Sequence, residues 1–94
     1  MTIEYMTTLV YAIGRDDQQI TLASLSGVVN PGSLSAFNAV NTAILIDNEY
    51  MAVNNNYKPG SKIIPVVRGT NGTFAWPHAA GAAATVIYSD ATRT

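Results

Sequence analysis

Short runs of β-prone residues, each closed by turn residues, make up most of the pattern of apolar and polar positions along this chain. No window of about a dozen residues carries the i, i+3, i+4, i+7 spacing of an amphipathic helix. The runs predict strands at residues 8–13, 19–25, 43–47, 50–54, 62–68 and 85–89. Several short antiparallel strands in one small chain are typical of an all-β fold, here a small antiparallel barrel or sandwich-like domain.

Three tight turns are predicted between these strands. At residues 14–17, Gly14 tolerates positive φ and the aspartates bond back to nearby backbone amides. In "DNE", Asn48 suits the left-handed conformation that a two-residue hairpin turn requires. At the third turn, Pro59 pre-sets φ at the first central position and Gly60 supplies the positive φ at the second.

The remaining segments set the domain organisation. Residues 26–42 are predicted to form one long covering loop with isolated apolar anchors at Leu34, Phe37 and Val40 and a short helical turn around residues 35–38. Without a composition break, residues 1–94 form a single domain. Residues 8–89 are its β core and residues 90–94 a frayed tail, while residues 1–7 are either an arm that reaches a neighbour or a first strand. Pro65 lacks an N–H and places its strand at an edge or a bulge.

Composition narrows the class of partner. Charged residues make up 12% of the chain, so the predicted surface is mostly uncharged and polar. Such a surface loses little when covered, which favours contact with like or unlike subunits. The net charge is −1 and the five basic residues are scattered, which gives no electrostatic footprint for nucleic acid. No run has the length of a membrane span, and no cysteine is present to form a disulfide or a thiolate metal site.

His78, the single histidine, is the obvious candidate for a general base or a metal ligand. A zinc site needs three or four ligands, and the nearest carboxylates in sequence are only Asp47, Glu49 and Asp90. No serine lies in a strained glycine elbow, and solvation of a hairpin turn explains Asp47 and Glu49 better than a glycosidase pair does. We therefore predict no enzyme activity, no metal and no cofactor, and a His78 side chain that bonds backbone groups to hold its own loop.

The stretch "RGTNGT" at residues 68–73 departs from a phosphate-binding loop, because its glycines are three apart and no Gly-Lys pair follows. Gly69 and Gly72 are instead predicted to adopt turn conformations of the backbone that glycine tolerates best, while Thr73 forms local hydrogen bonds. The strands at 50–54 and 62–68 should form a hairpin that brings Glu49 and Arg68 together. A guanidinium can satisfy a carboxylate through two parallel hydrogen bonds, so we predict this ion pair.

Aromatic side chains supply candidate interface residues, namely Tyr5, Tyr57 and Trp76. Trp76 is the most suggestive, since a loop tryptophan beside a proline often anchors in a partner's pocket. Core packing or plugging of a loop is an equal alternative at this point, and Tyr57 with Trp76 would also suit a carbohydrate platform.

The segments "ILIDNEYMAV" and "KIIPVVRGTNGTFAWPHAAGAAATVI" together resemble small β domains of tailed-phage virion proteins. Those domains carry a pattern like I-D-x-E-x-x-x-V, then V-x-R-G-x-x-G-T, then A-x-x-H, then G-A and a closing β run. The "WP" before His78 departs from this pattern and leaves open whether Trp76 serves an interface. The resemblance covers roughly residues 43–88, and the matching positions are Ile46, Asp47, Glu49, Val53, Val66, Arg68, Gly69, Gly72, Thr73, Ala75, His78, Gly81 and Ala82.

The resemblance implies a structural virion protein and a scaffold role for the matched residues. We expect a capsid decoration (cement) protein that binds the major capsid protein and copies of itself, a trimer being one arrangement, on the capsid surface after assembly in the host cytoplasm. The alternatives are a tail, neck or fibre module of the same fold and a carbohydrate-binding module. The expected structural clamp consists of Glu49, Arg68, Gly69, Gly72, Thr73, His78 and Gly81.

Overall fold

The fold is described from a computed structural model, in which residues 2–29 and 40–90 are described. Within these residues six strands form one antiparallel sheet and no helix is present, which confirms the predicted all-β class. The order across the sheet is β1-β6-β3-β4-β5-β2. The strands are β1 (Thr2–Thr8), β2 (Gln19–Ile20), β3 (Val40–Ile46), β4 (Glu49–Val53), β5 (Ile64–Thr70) and β6 (Ala83–Asp90).

The sheet curls into a half-barrel because the chain links its two edges. Beyond the end of β1, Leu9 bridges Leu22, which follows β2. The amide of Val10 donates to the carbonyl of Thr21 at 2.9 Å on this side of the chain. On the other side the amide of Leu9 donates to the carbonyl of Ala82, also at 2.9 Å. Residues 9–10 are therefore hydrogen-bonded both to the chain that follows β2 and to the chain that precedes β6, and they connect the two edges of the sheet as in a small barrel.

The core fills the concave side of the sheet. Successive side chains of a strand point to opposite faces, so alternate apolar residues of each long strand line this side. The buried apolar side chains are those of Leu9, Ile13, Ile20, Leu22, Val28, Ile44, Ile46, Met51, Val53, Tyr57, Ile64, Val66, Ala84 and Val86. Among the described residues no helix has the length and apolar character needed to cross a membrane.

The first strand differs from the predicted one. Of the predicted strand at residues 8–13 only Thr8 lies in a strand, because beyond it the chain leaves the β6 ladder and forms only the isolated bridges Leu9↔Leu22 and Ile13↔His78. Residues 2–8, predicted as an arm or a strand, form β1 instead. The predicted strand at 19–25 shortens to β2. The predicted turn at residues 14–17 is present, since the amide of Asp17 donates to the carbonyl of Gly14 at 3.3 Å and the amide of Gly14 donates to Asp17 Oδ2 at 2.7 Å, but the runs on either side of it pair only around Leu9 and Leu22.

Two predicted turns are present with the expected backbone. Asp47 and Asn48 both have positive φ, 48° and 68°, as a type I′ hairpin turn between β3 and β4 requires. Gly60 has a φ of 86°, and the amide of Ser61 donates to the carbonyl of Lys58 at 2.9 Å, which closes the Pro59–Gly60 turn.

The predicted loop over residues 26–42 ends earlier than expected, because Val40 already opens β3 against β6. Within its first part, Val28 is buried and Thr42 donates through its hydroxyl to the carbonyl of Gly27 at 2.9 Å. Leu34, Phe37 and the helical turn predicted at 35–38 lie outside the described residues, as does the predicted tail from residue 91 onward. Asp90 itself belongs to β6.

Candidate functional site

The site is built around the carboxylate of Glu49, which is fully buried. Glu49 is the first residue of β4, directly after the type I′ turn, and its side chain lies on the concave face with Met51 and Val53. The alternation that buries two apolar residues of β4 therefore also buries this acid. A buried carboxylate is stable only when it is paired and hydrogen-bonded.

Glu49 accepts five hydrogen bonds. Its Oε2 accepts from Arg68 Nε at 2.7 Å and from the amide of Gly69 at 3.0 Å. Its Oε1 accepts from Arg68 Nη2 at 3.0 Å and from the amide of Trp76 at 3.0 Å. The fifth partner is His78, whose Nε2 lies 2.7 Å from Oε1. The two bonds from Arg68 form the bidentate pair that strand order predicts.

Arg68 uses all of its guanidinium N–H groups. Besides Glu49, its Nη2 donates to the carbonyl of Trp76 at 2.6 Å, and its Nη1 donates to the carbonyls of Gly14 and Asp17 at 2.8 and 2.7 Å. The side chain is 7% exposed. One arginine therefore joins β4, the 14–17 turn and the loop before β6, which are far apart in sequence.

A β-bulge on β5 places Arg68 in this position. The β4–β5 register pairs Ala52 with Val67 but Tyr50 with Thr70, so β5 carries one extra residue at Arg68 and Gly69. Gly69 has a φ of 62°, and a Cβ there would lie 3.0 Å from the amide nitrogen of Ala75. The glycine thus permits both the bulge and the close approach of the following loop, which lets its amide reach Glu49.

His78 is buried between two carboxylates. Its Nδ1 lies 3.1 Å from Asp47 Oδ2 and its Nε2 2.7 Å from Glu49 Oε1. The prediction that its side chain bonds backbone groups is wrong, because both ring nitrogens face carboxylates, and it is the backbone of His78 that pairs with Ile13. Ionised carboxylates only accept hydrogen bonds, so both contacts are satisfied together when the ring carries both protons.

The environment of Glu49 favours its ionised form. Burial alone would raise the pKa of this carboxyl, but hydrogen bonds from Arg68, His78 and the amides of Trp76 and Gly69 outweigh burial and lower the pKa from 4.5 to about 2. No buried side-chain nitrogen or oxygen of the described residues lacks a hydrogen-bond partner. Every buried polar side-chain atom of the site therefore has a hydrogen-bond partner.

The other predicted clamp residues shape the surrounding turns. Asn71 and Gly72 have φ of 56° and 80° and form a second type I′ turn, closed by the amide of Thr73 donating to Thr70 at 3.1 Å. The hydroxyl of Thr73 accepts from the amide of Tyr50 at 3.0 Å, which ties this turn to β4. Gly81 has a φ of 86° and its amide donates to the carbonyl of Leu9 at 2.7 Å.

The chemistry open to this cluster is narrow. Both ring nitrogens of His78 face carboxylates, so the ring has no free nitrogen to activate a serine hydroxyl or to bind a metal ion. Among the described residues, no group of three or more histidine, cysteine and acidic side chains is arranged to hold a metal. Only Asp47 is substantially exposed, with 62% of its side chain accessible. The cluster holds chain segments together, and we name Asp47, Glu49, Arg68 and His78 the Glu49 clamp.

Sequence reasoning missed part of this clamp. The contact of Asp47 with His78 is not among the predictions, although Asp47 lies two residues before Glu49 in the same hairpin and so reaches the same histidine. The carbonyls of Gly14 and Asp17 could not be predicted, because no local signal marks a backbone group as the acceptor of an arginine more than fifty residues later.

The three candidate interface residues have different environments. Tyr57 is 2% exposed and belongs to the core, so its assignment to an interface is wrong. It is buried because the 54–61 loop folds back over the barrel, where its hydroxyl donates to the carbonyl of Ser61 at 3.2 Å. Tyr5 is half-buried and packs against the core. Trp76 is 62% exposed, and its neighbour Phe74 is 77% exposed.

Comparison of the chain with protein-family models, with curated proteins and with solved structures finds no match in any of the three. The functional assignment therefore depends on the site and surface described above and on the sequence pattern.

Proposed function

We propose that this protein is a structural subunit of a tailed-phage virion, a decoration protein that binds and stabilises the shell of the major capsid protein. The observation that carries the proposal is the convergence of the acidic hairpin, the arginine-glycine stretch and the histidine on one buried cluster. A pattern whose members meet inside the fold is a scaffold signature. Its resemblance to virion β domains then supplies the class of protein.

The convex face of the sheet supports a role in contact rather than in chemistry. On this face, one row of cross-strand neighbours runs from Met6 through Thr85 and Leu45 to Tyr50. A second row runs from Glu4 through Ile87, Ala43 and Ala52 to Val67. Glu4, on the edge strand, is the only charged residue in these two rows. Covering such a face requires little desolvation of charge, which suits a subunit that lies on a protein shell.

Trp76 is the side chain that we assign to the contact with the shell. Its amide donates to Glu49 and its carbonyl accepts from Arg68, so the backbone is fixed while the indole is exposed to solvent. An aromatic side chain on a backbone that is already ordered loses little entropy on binding, which is the property of an interface anchor. The Glu49 clamp would thus present Trp76, with Phe74 beside it.

The test is co-sedimentation of the purified protein with capsid shells that lack it, together with the melting temperature of the shells. The proposal predicts saturable binding in a fixed ratio to the major capsid protein and a higher melting temperature. Each contact with the shell is modest, but it is repeated over the capsid lattice, so the total stabilisation of the shell is large. Absence of binding to shells, with binding to isolated tails or necks, would assign the protein to a tail module instead.

Binding of a glycan array with loss on Trp76→Ala, and no binding to virion parts, would favour the carbohydrate-binding alternative. That alternative now lacks its second aromatic residue, because Tyr57 is buried.

A further inference from the structure

Strand β1 has one edge that is without a described partner from Thr2 to Met6, while Thr8 at its end accepts there from the amide of Ala23 at 2.9 Å. It pairs with β6 from Thr2 to Thr8 and stands at one end of the sheet order. The amide of Leu9 donates to Ala82, beside β6, and backbone groups alternate in direction along a strand, so the N–H and C=O groups of Thr2, Glu4 and Met6 point away from β6. Within the described part of the chain, no backbone hydrogen bond reaches these three residues from that side.

Apart from the charge of Glu4, the sequence of β1 lacks the features that protect exposed edges. Its residues, TIEYMTT, include no proline, lysine or glycine, and its pairing with β6 contains no bulge. The opposite edge strand, β2, is only two residues long, which is itself a form of protection. β1 is therefore suited to the addition of another extended strand.

We propose that the added strand is β1 of a second copy of this chain, in an antiparallel two-fold dimer. In the proposed register Tyr5 lies opposite Tyr5 of the second copy at the two-fold axis, and Glu4 lies opposite Met6. The Glu4–Met6 pairs then exchange both of their backbone hydrogen bonds, since these are the outward-facing residues. This inference follows from the sheet geometry and does not depend on the proposed virion role.

Charge selects this register over its neighbours. A shift that places Glu4 opposite Glu4 of the second copy sets like charges against each other in a hydrogen-bonded pair, which is unfavourable. A shift in the other direction places Glu4 opposite Thr8, whose carbonyl already accepts from the amide of Ala23 at 2.9 Å, so both Glu4 pairs would lose a hydrogen bond. In the proposed register only the terminal Thr2–Thr8 pairs meet this bond, and the Glu4–Met6 pairs keep both of theirs. In the proposed register the single charge of each strand faces an uncharged thioether. The strand is thus complementary to itself.

Met6 gives a direct test, because its side chain is 74% exposed and its N–H does not take part in the β6 ladder. In sedimentation equilibrium of the full chain we expect a concentration-dependent monomer–dimer equilibrium. Met6→Glu would face Glu4 of the other copy and raise the dissociation constant by roughly threefold to tenfold, whereas Met6→Lys would lower it by a similar factor. Both variants add one exposed charge, so each is the control for the other.

A second experiment tests the register and uses the absence of cysteine in the chain. Opposite residues of a hydrogen-bonded pair lie about 5.5 Å apart at Cα, within the span of a disulfide. We expect oxidation to cross-link a mixture of the Glu4→Cys and Met6→Cys proteins, and to leave each protein alone without a cross-link. A mass that stays monomeric at every soluble concentration, a trimer mass, equal effects of Met6→Glu and Met6→Lys, or cross-linking of either single variant would overturn the proposal.

Discussion

Both carboxylate oxygens of Glu49 receive a hydrogen bond from the guanidinium of Arg68, at 2.7 and 3.0 Å, and neither side chain is more than 7% exposed. A buried pair of this kind contributes modestly to stability while intact, because desolvation offsets most of the attraction. Breaking it is costly, because one charge is then buried without its partner.

Arg68→Lys should destabilise the protein by about 3 kcal/mol, since an ammonium cannot reproduce the bidentate pair or reach the carbonyls of Gly14, Asp17 and Trp76 at once. The matched control is Arg15→Lys, because Arg15 is 70% exposed and pairs loosely with Asp16 at 3.8 Å. That change should stay within about 0.5 kcal/mol. Urea unfolding of both variants measures the difference, and equal losses would contradict a structural role for Arg68.

Acid should weaken the fold through Glu49. Its folded pKa of about 2 lies below the ordinary 4.5, so its contribution to stability is complete above pH 4.5 and is lost as the pH falls toward 2. The loss should amount to roughly 3 kcal/mol. Side-chain carboxyl NMR of the wild-type protein measures the titration directly, with the exposed Glu4 as the second glutamate in the same spectra. A Glu49 midpoint near 4.5 would show that the hydrogen bonds do not stabilise the ionised form.

Two glycines with positive φ should respond differently to alanine. At Gly60, with a φ of 86°, a Cβ would meet no atom within 4 Å, so Gly60→Ala should cost only the backbone strain of about 1–2 kcal/mol. At Gly69 the Cβ would lie 3.0 Å from the amide nitrogen of Ala75, and the loop would have to move. Gly69→Ala should cost roughly 1–3 kcal/mol more. Thermal unfolding compares the two, and similar losses would mean that the loop adjusts freely.

The sequence predicted the second half of the molecule better than the first. After residue 40 the strands alternate clearly and are joined by turns with strong local signals, at Asn48 and at Pro59–Gly60. Those turns fix which strands are neighbours, and that is why the contact between Glu49 and Arg68 could be predicted. The predicted environment of Tyr57 was wrong because nothing in "NNNYKPGS" shows that the loop folds back over the core.

The first half was harder because its apolar run and its strand do not coincide. Residues 9–13 are the most apolar stretch there, yet they close the barrel through single bridges, while the more polar residues 2–8 form the ladder with β6. Pairing with a long partner strand overrides local propensity in this region. The bulge at Arg68 and Gly69 likewise has only a glycine as its signal.

Shell binding by variants of two exposed aromatic residues tests the proposed role of Trp76 most directly. Trp76 is 62% exposed on the loop held by the Glu49 clamp, and Tyr11 is 67% exposed elsewhere on the surface. Co-sedimentation with shells that lack the protein should show that Trp76→Ala weakens binding by a hundredfold or so, as loss of about 2–3 kcal/mol at an anchor implies, while Tyr11→Ala binds like the wild type. Unchanged binding by Trp76→Ala would contradict the role of Trp76 as the anchor, and no binding of the wild-type protein to shells would contradict the proposed function.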